Sequence, residues 1–154
     1  TYSITQEHII STIVRDQLNQ INLANEGPNT NRFALATPDG NLHELPILIA
    51  EIICHANRVS TNYLGASHPA ECLGEAVNAI KCKTIVMGVI SSAQWNYEKN
   101  IVKYLESIDK CLRNKVEIIL GGGCKIDLPN FKNIENVEFV SSFEDFDKML
   151  KEIK

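Results

Sequence analysis

Apolar positions recur at helical period over residues 3–22, where Ile10, Ile13, Val14, Leu18 and Ile21 form one stripe. Ser3 and Gln6 stand at capping-box spacing ahead of it. One helix cannot bury such a stripe alone, so the stripe is expected to pack on partners upstream or on the domain body. Residues 25–30, with Gly27-Pro28, read as a linker. Beyond it, apolar runs at 33–37, 59–64, 84–90, 116–120 and 137–140 read as strands. The third is apolar on both faces, as a central parallel strand should be. Helical patterns fill the gaps. Residues 45–56 are apolar nearly all round, with Pro46 acceptable in the first turn. Residues 69–80 take Ser67 or His68 as cap and turn Leu73, Ala76, Val77 and Ile80 inward. Residues 96–112 turn Ile101, Leu105, Ile108 and Leu112 inward, and a loop or short irregular helix follows the fourth strand. Ser142 caps a last helix with Phe143, Phe146, Leu150 and Ile153 inward.

Five strands separated by helices predict an α/β fold, a flavodoxin-like doubly wound parallel sheet in the order 2-1-3-4-5. One helix of a truncated helical bundle precedes it, so residues 1–26 are expected to belong to a helical cap and 31–154 to a Rossmann-like domain. The 154 residues suffice for a proper core. The net charge of −4 gives no general electrostatic reason to bind nucleic acid or an anionic membrane. No apolar run approaches a membrane span and no signal peptide is visible, and the five cysteines never form a C-x-x-C pair. That cysteine usage suits reduced thiols and a cytoplasmic protein. Starting at Thr1 without an initiator methionine is expected of a piece of something longer.

The sheet order puts the switch point between strands one and three, with a crevice lined by the His43 loop and residues 91–95. His43 follows the turn residues Pro38, Asp39 and Gly40 and stands just before a helix. A lone imidazole there can ligate a metal or act as acid or base, or it can be a solvated loop histidine. His55, twelve residues on, is about 18 Å away along a straight helix and cannot share its metal. It reads as a surface or helix-end residue, and His68 as a cap. Gly121-Gly122-Gly123 is either a tight turn or backbone kept bare for close approach of a large flat ligand. It is neither a P-loop nor a dinucleotide fingerprint. A phospho-receiver would need an acidic residue where Ile90-Ser91-Ser92 stands, and 38–42 is a poor flavin phosphate loop. Trp95 is either core or a stacking surface.

Taken together these features resemble the cobalamin-binding domain. That family carries Asp-x-His-x-x-Gly, Ser-x-Leu and Gly-Gly after its first, third and fourth strands. Here Asn41-Leu42-His43-Glu44-Leu45-Pro46, Gly88-Val89-Ile90 and Gly121-Gly122 stand in those places. The resemblance implies that His43 replaces the nucleotide base on cobalt. The nucleotide tail then threads between the first strand's loop and the glycines. His43-Glu44-Leu45, Tyr63-Leu64-Gly65 and the pair Glu7-His8 further resemble CarH-type light-sensing regulators of the MerR class. That implies an adenosylcobalamin sensor, with Glu7 and His8 near the upper face, DNA bound through an upstream domain, a homo-oligomer and no catalytic residues. The implied cobalamin-binding set is Glu7, His8, Asn41, His43, Glu44, Gly88, Ile90, Ser91, Gly121, Gly122 and Gly123. Three departures stand out. Asn41 replaces the family Asp and Gly88 the family Ser, which removes the relay that tunes the histidine in methyl-transferring members. Pro46 replaces the family Gly. A corrinoid carrier subunit of a methyltransferase is therefore the second expectation. The third is a regulator of this fold that binds haem or no cofactor.

Overall fold

The computed structural model describes residues 3–22 and 32–153. The predicted linker at 25–30 and the side chains of Leu18 and Ile21 lie outside the described residues. The chain runs α1 (Ile4–Asn22), β1 (Arg32–Pro38), α2 (Leu45–Ala56), β2 (Ser60–His68), α3 (Ala70–Ile80), β3 (Thr84–Gly88), α4 (Tyr97–Cys111), β4 (Val116–Gly121), β5 (Ile134–Val140) and α5 (Phe143–Glu152). The sheet is parallel throughout in the expected order β2-β1-β3-β4-β5.

Strand alternation assigns one core to each face of the sheet. Ala34, Ala36, Ile85, Met87, Ile118 and Leu120 face α3 and α4. Phe33, Leu35, Val86 and Ile119 face α2 and α5. Small alanines on one side of β1 and bulky residues on the other set how closely each helix layer approaches. Ile101, Leu105, Ile108 and Leu112 are buried from α4, as their spacing requires. Trp95 is buried and packs near Tyr97 at 6.5 Å between ring centroids, which makes it core rather than a stacking surface.

The capping box of α1 forms as spaced. The Ser3 amide donates to Gln6 Oε1 at 2.8 Å and the Gln6 amide to Ser3 Oγ at 3.2 Å. Ser142 accepts from the Asp145 amide as expected.

Several expectations change. The apolar stripe of α1 faces the body only in part: Ile10 and Val14 are half-buried, whereas Ile13 is more than half exposed. The residues turned inward are Ser11, buried, with Glu7 and Arg15 one turn to either side. Neither Ser67 nor His68 caps α3, because Ser67 adopts φ 57° and β2 runs on to His68, leaving Pro69 at the cap. Phe143 and Ile153 lie on the exposed side of α5, whereas Phe146 and Leu150 are buried. Between β4 and β5 the chain is a loop, one of the two alternatives expected there. Among the described residues no helix is long and apolar enough to cross a membrane.

Candidate functional site

The site lies at the carboxyl end of the sheet, where β1 turns into α2. Pro38 to Asn41 form a turn closed by the Asn41 amide on the Pro38 carbonyl at 2.9 Å, with Gly40 at φ 85°. Asn41 and Thr37 are fully buried and hold the turn from within. Thr37 Oγ1 donates to the Asn41 carbonyl at 2.5 Å and accepts from the Ser67 amide at 2.8 Å. Asn41 Oδ1 accepts from the His43 amide at 3.0 Å, and Asn41 Nδ2 donates to the Ile90 carbonyl at 3.1 Å. The side chain of Asn41 therefore braces backbone on two sides and ties the β1 loop to the end of β3.

That bracing presents the His43 ring at the loop surface, with its side chain 31% exposed. Nδ1 lies 3.0 Å from Glu7 Oε2 and 3.3 Å from Glu7 Oε1. Among the described residues no hydrogen bond engages Nε2. Glu44, the next residue, is buried, and its carboxylate does not cap α2. Glu44 Oε1 instead accepts from Arg15 of α1 and from the Tyr63 hydroxyl, the latter at 2.6 Å. The Arg15 guanidinium also stands over the Tyr63 ring, 5.6 Å from its centroid. Burial raises the Tyr63 hydroxyl and the Glu44 charge raises it further, so Tyr63 stays a phenol and a donor. Burial works against the Arg15 charge, but Glu44 outweighs it.

Behind the loop, between α2, the ends of β3, β4 and β5, and the start of α5, lies a cavity of about 280 Å³. Its wall includes Pro46, Ile47, Gly88, Ile119, Gly121 and Phe146. Small-molecule sites usually span roughly 300–1,000 Å³, so this one stands at the small end of that range.

The glycines divide by role. A Cβ on Gly121 would meet nothing nearer than the Met87 carbonyl at 3.9 Å, so its bareness is not demanded by packing. Gly122 has φ 92°, and a Cβ there would strike Ile90 Cγ1 at 2.5 Å. A Cβ on Gly123 would strike the Tyr97 ring at 2.5 Å. The triple glycine is thus a turn and a close approach at once, with Gly121 and Gly122 in the cavity wall.

The structure brings Glu7, Asn41, His43, Glu44 and Ile90 together through the contacts above, and Gly88, Ile90, Gly121 and Gly122 around the cavity. A Cβ on Gly88 would lie 3.1 Å from Ile47 Cγ2, so Ile47 occupies the space of the family's serine. Gly123 packs on Tyr97 instead, and Ser91 Oγ accepts from the Tyr97 amide at 2.9 Å, both at the start of α4. His8 is exposed, one residue off the inward face of α1. His55 is the helix-end residue expected, in the last turn of α2, half-buried with Nε2 2.8 Å from Thr61 Oγ1, and His68 Nε2 donates to the Leu64 carbonyl at 2.7 Å. Sequence reasoning missed Ser11 and Arg15. Their signal was the four-residue spacing Glu7, Ser11, Arg15, a polar stripe at helical period hidden beside a more conspicuous apolar one.

No protein-family model matches the chain, and no curated protein does. Solved structures do. A methanol:cobalamin methyltransferase complex, MtaBC, from Methanosarcina barkeri matches with a TM-score of 0.63 at 16% identity, over 87% of this chain and 50% of that one. A cobalamin-binding protein from Desulfitobacterium hafniense DCB-2 matches with a TM-score of 0.54 at 17% identity, over 96% of this chain and 69% of that one. The monomethylamine corrinoid protein of M. barkeri matches with a TM-score of 0.57 at 17% identity, over 82% and 59%. The chain spans about half the length of the matched methyltransferase chain. At these identities the likeness establishes a shared fold, that of solved corrinoid-binding proteins. It does not single out the CarH-type regulators.

Proposed function

We propose that the chain is a cobalamin-binding module in which His43 holds the cobalt from below. The observation that carries this reading is the presentation of His43. It stands at the carboxyl end of a parallel sheet with Nδ1 taken by a carboxylate and Nε2 left over, three residues ahead of Pro46 in the wall of an apolar cavity. His43 would hold the metal, and Gly88, Ile119, Gly121 and Phe146 would take the nucleotide tail. Among the described residues no cluster of three His, Cys, Asp or Glu could hold an ion, so the donor set is one imidazole added to a metal that arrives with its own ring. When bound, an alkylcobalamin would supply a cobalt–carbon bond that breaks either as its alkyl group passes to a nucleophile or on absorption of light.

The solved structures sharing the fold are named for methyltransferase and corrinoid proteins, which supports a carrier that shuttles an alkyl group between partner enzymes. A light-sensing regulator is the second reading, supported by the resemblance at His43-Glu44-Leu45; Glu7, expected near the upper face, stands instead on Nδ1 of the proposed lower ligand, and His8 is exposed. That reading adds adenosylcobalamin as the form bound, a homo-oligomer, and DNA through a further domain.

The protein is incubated in the dark with methylcobalamin and, separately, adenosylcobalamin, then desalted. Retention of either with a base-off, histidine-on spectrum supports the module, and a colourless protein overturns it. A change of oligomeric state on illumination of the adenosyl form favours the sensor. Indifference to light favours the carrier.

A further inference from the structure

Among the described residues Asn41 makes no hydrogen bond to the His43 ring: its Oδ1 accepts from the His43 backbone amide and its Nδ2 donates to the Ile90 carbonyl. The carboxylate that does reach the ring comes from another element. Both oxygens of Glu7 lie within 3.3 Å of Nδ1, and its side chain is 18% exposed. A casual surface pair between a helix and a loop would be worth little and would wander. This one is registered. Two helical turns further along α1, about 12 Å away, Arg15 is fixed on Glu44, which is anchored in turn by Tyr63. Ser11, buried between them, has no hydrogen-bond partner for its hydroxyl among the described residues, and the polar contacts of this face are those of Glu7 and Arg15. The two carboxylates and the imidazole belong to a crossed arrangement: Glu7 of α1 reaches His43, and Arg15 of α1 reaches the adjacent Glu44.

We infer that Glu7 is the positioning residue for His43. Accepting a hydrogen bond from Nδ1, it keeps the ring proton there and leaves Nε2 as the nitrogen with the available lone pair. A carboxylate on the far nitrogen of a metal-binding histidine usually fixes tautomer and ring orientation. Here the device is built across two elements rather than within one loop. The asparagine at position 41 therefore does not leave His43 without a carboxylate, and the docking of α1 becomes a condition for His43 to present Nε2. This rests on the cobalt-ligand reading for its purpose, but the pairing is testable without any ligand.

The test is long-range proton–nitrogen NMR of the His43 ring in the ligand-free protein, at a pH where the imidazole is neutral. Wild type, Glu7→Gln and Glu7→Ala are compared. Wild type is expected to hold the proton on Nδ1. Glu7→Gln keeps that tautomer, because its side-chain carbonyl still accepts. Glu7→Ala relaxes to the Nε2–H form that imidazoles favour in water. Proton on Nε2 in wild type, or an unchanged tautomer in Glu7→Ala, overturns the proposal. The α1 amide resonances, unshifted in Glu7→Ala, distinguish lost positioning from lost docking. With methylcobalamin as probe, Glu7→Ala is expected to weaken retention about 10- to 100-fold, as loss of an outer partner of a metal ligand does. Tighter retention by Glu7→Ala also overturns the proposal, since it would make Glu7 a blocker. Absence of retention in wild type, with the tautomer result intact, upholds the positioning of His43 and overturns only the cobalamin reading.

Discussion

The two faces of the sheet were built to different tolerances. Against α3 and α4 the packing is closed: Leu73, Met87, Ile101, Leu105, Ile118 and Leu120 are fully buried, and a Cβ on Gly74 would fall 2.6 Å from Cys111 Cβ. Against α2 and α5 the core is equally apolar but incomplete, and it opens toward the strand ends into the cavity of about 280 Å³. The His43 loop, the docked α1 and the bare backbone of Gly121 all sit at that end. A void lined by apolar side chains forfeits dispersion contacts and stability unless a ligand fills it. The difference teaches that one face is packed to completion while the other leaves room at the strand ends.

That contrast can be broken by mutation. Leu105→Ala on the closed face is expected to cost about 2–5 kcal/mol, read by denaturant unfolding, because close-packed neighbours cannot collapse into the gap. A cost under about 1 kcal/mol would mean the face is not closed. Gly74→Ala, which forces α3 and α4 apart, is expected to cost about 1–3 kcal/mol. Arg15→Ala leaves the buried Glu44 carboxylate with only Tyr63 as donor and is expected to cost about 1–3 kcal/mol. Hydrogen exchange should show that loss concentrated in α1. Uniform loss across the sheet would deny that α1 docks as a separable piece.

A smaller effect concerns pH. Burial tends to raise the Asp109 carboxyl, but the amides of Lys132, Asn133 and Ile134 outweigh it and hold it below the usual carboxylate range. A lowered folded-state value means stability present above the unfolded value and lost as pH falls through the folded one. Asp109→Asn should therefore cost about 1 kcal/mol at neutral pH and flatten the acid limb of the stability curve. An unchanged acid limb would remove Asp109 as the anchor for the start of β5. The smallest stability effect is expected at the other glycine. Gly121→Ala should change stability by less than about 1 kcal/mol, since a Cβ there has room, while reducing corrinoid retention. A large loss of stability would show that Gly121 serves packing after all.

The strand order was legible because five apolar runs alternate with amphipathic segments, and a parallel sheet is the economical way to bury both. His43 was legible because it is a lone imidazole after a turn signal. Three things were not. The extension of β2 through Gly65-Ala66-Ser67-His68 lacks apolar alternation and is held by Thr37 Oγ1 and by the Gly40 amide on Ser67 Oγ. The inward face of α1 is set by Arg15 on Glu44 and by Glu7 on the His43 ring, so the apolar stripe showed it only in part: Ile10 and Val14 are half-buried and Ile13 belongs to the outer side. The cavity depends on how far α5 stands from α2, which no local pattern encodes, and Phe143 lines its mouth instead of the core.

The proposed cobalt-ligand role of His43 is tested most directly by electron paramagnetic resonance of bound cob(II)alamin, with protein grown on nitrogen-15 histidine set beside unlabelled protein. The axial nitrogen splitting is expected to change from a triplet to a doublet on labelling and to vanish in His43→Ala. A triplet that persists in labelled protein, as the cofactor's own base would give, would contradict it.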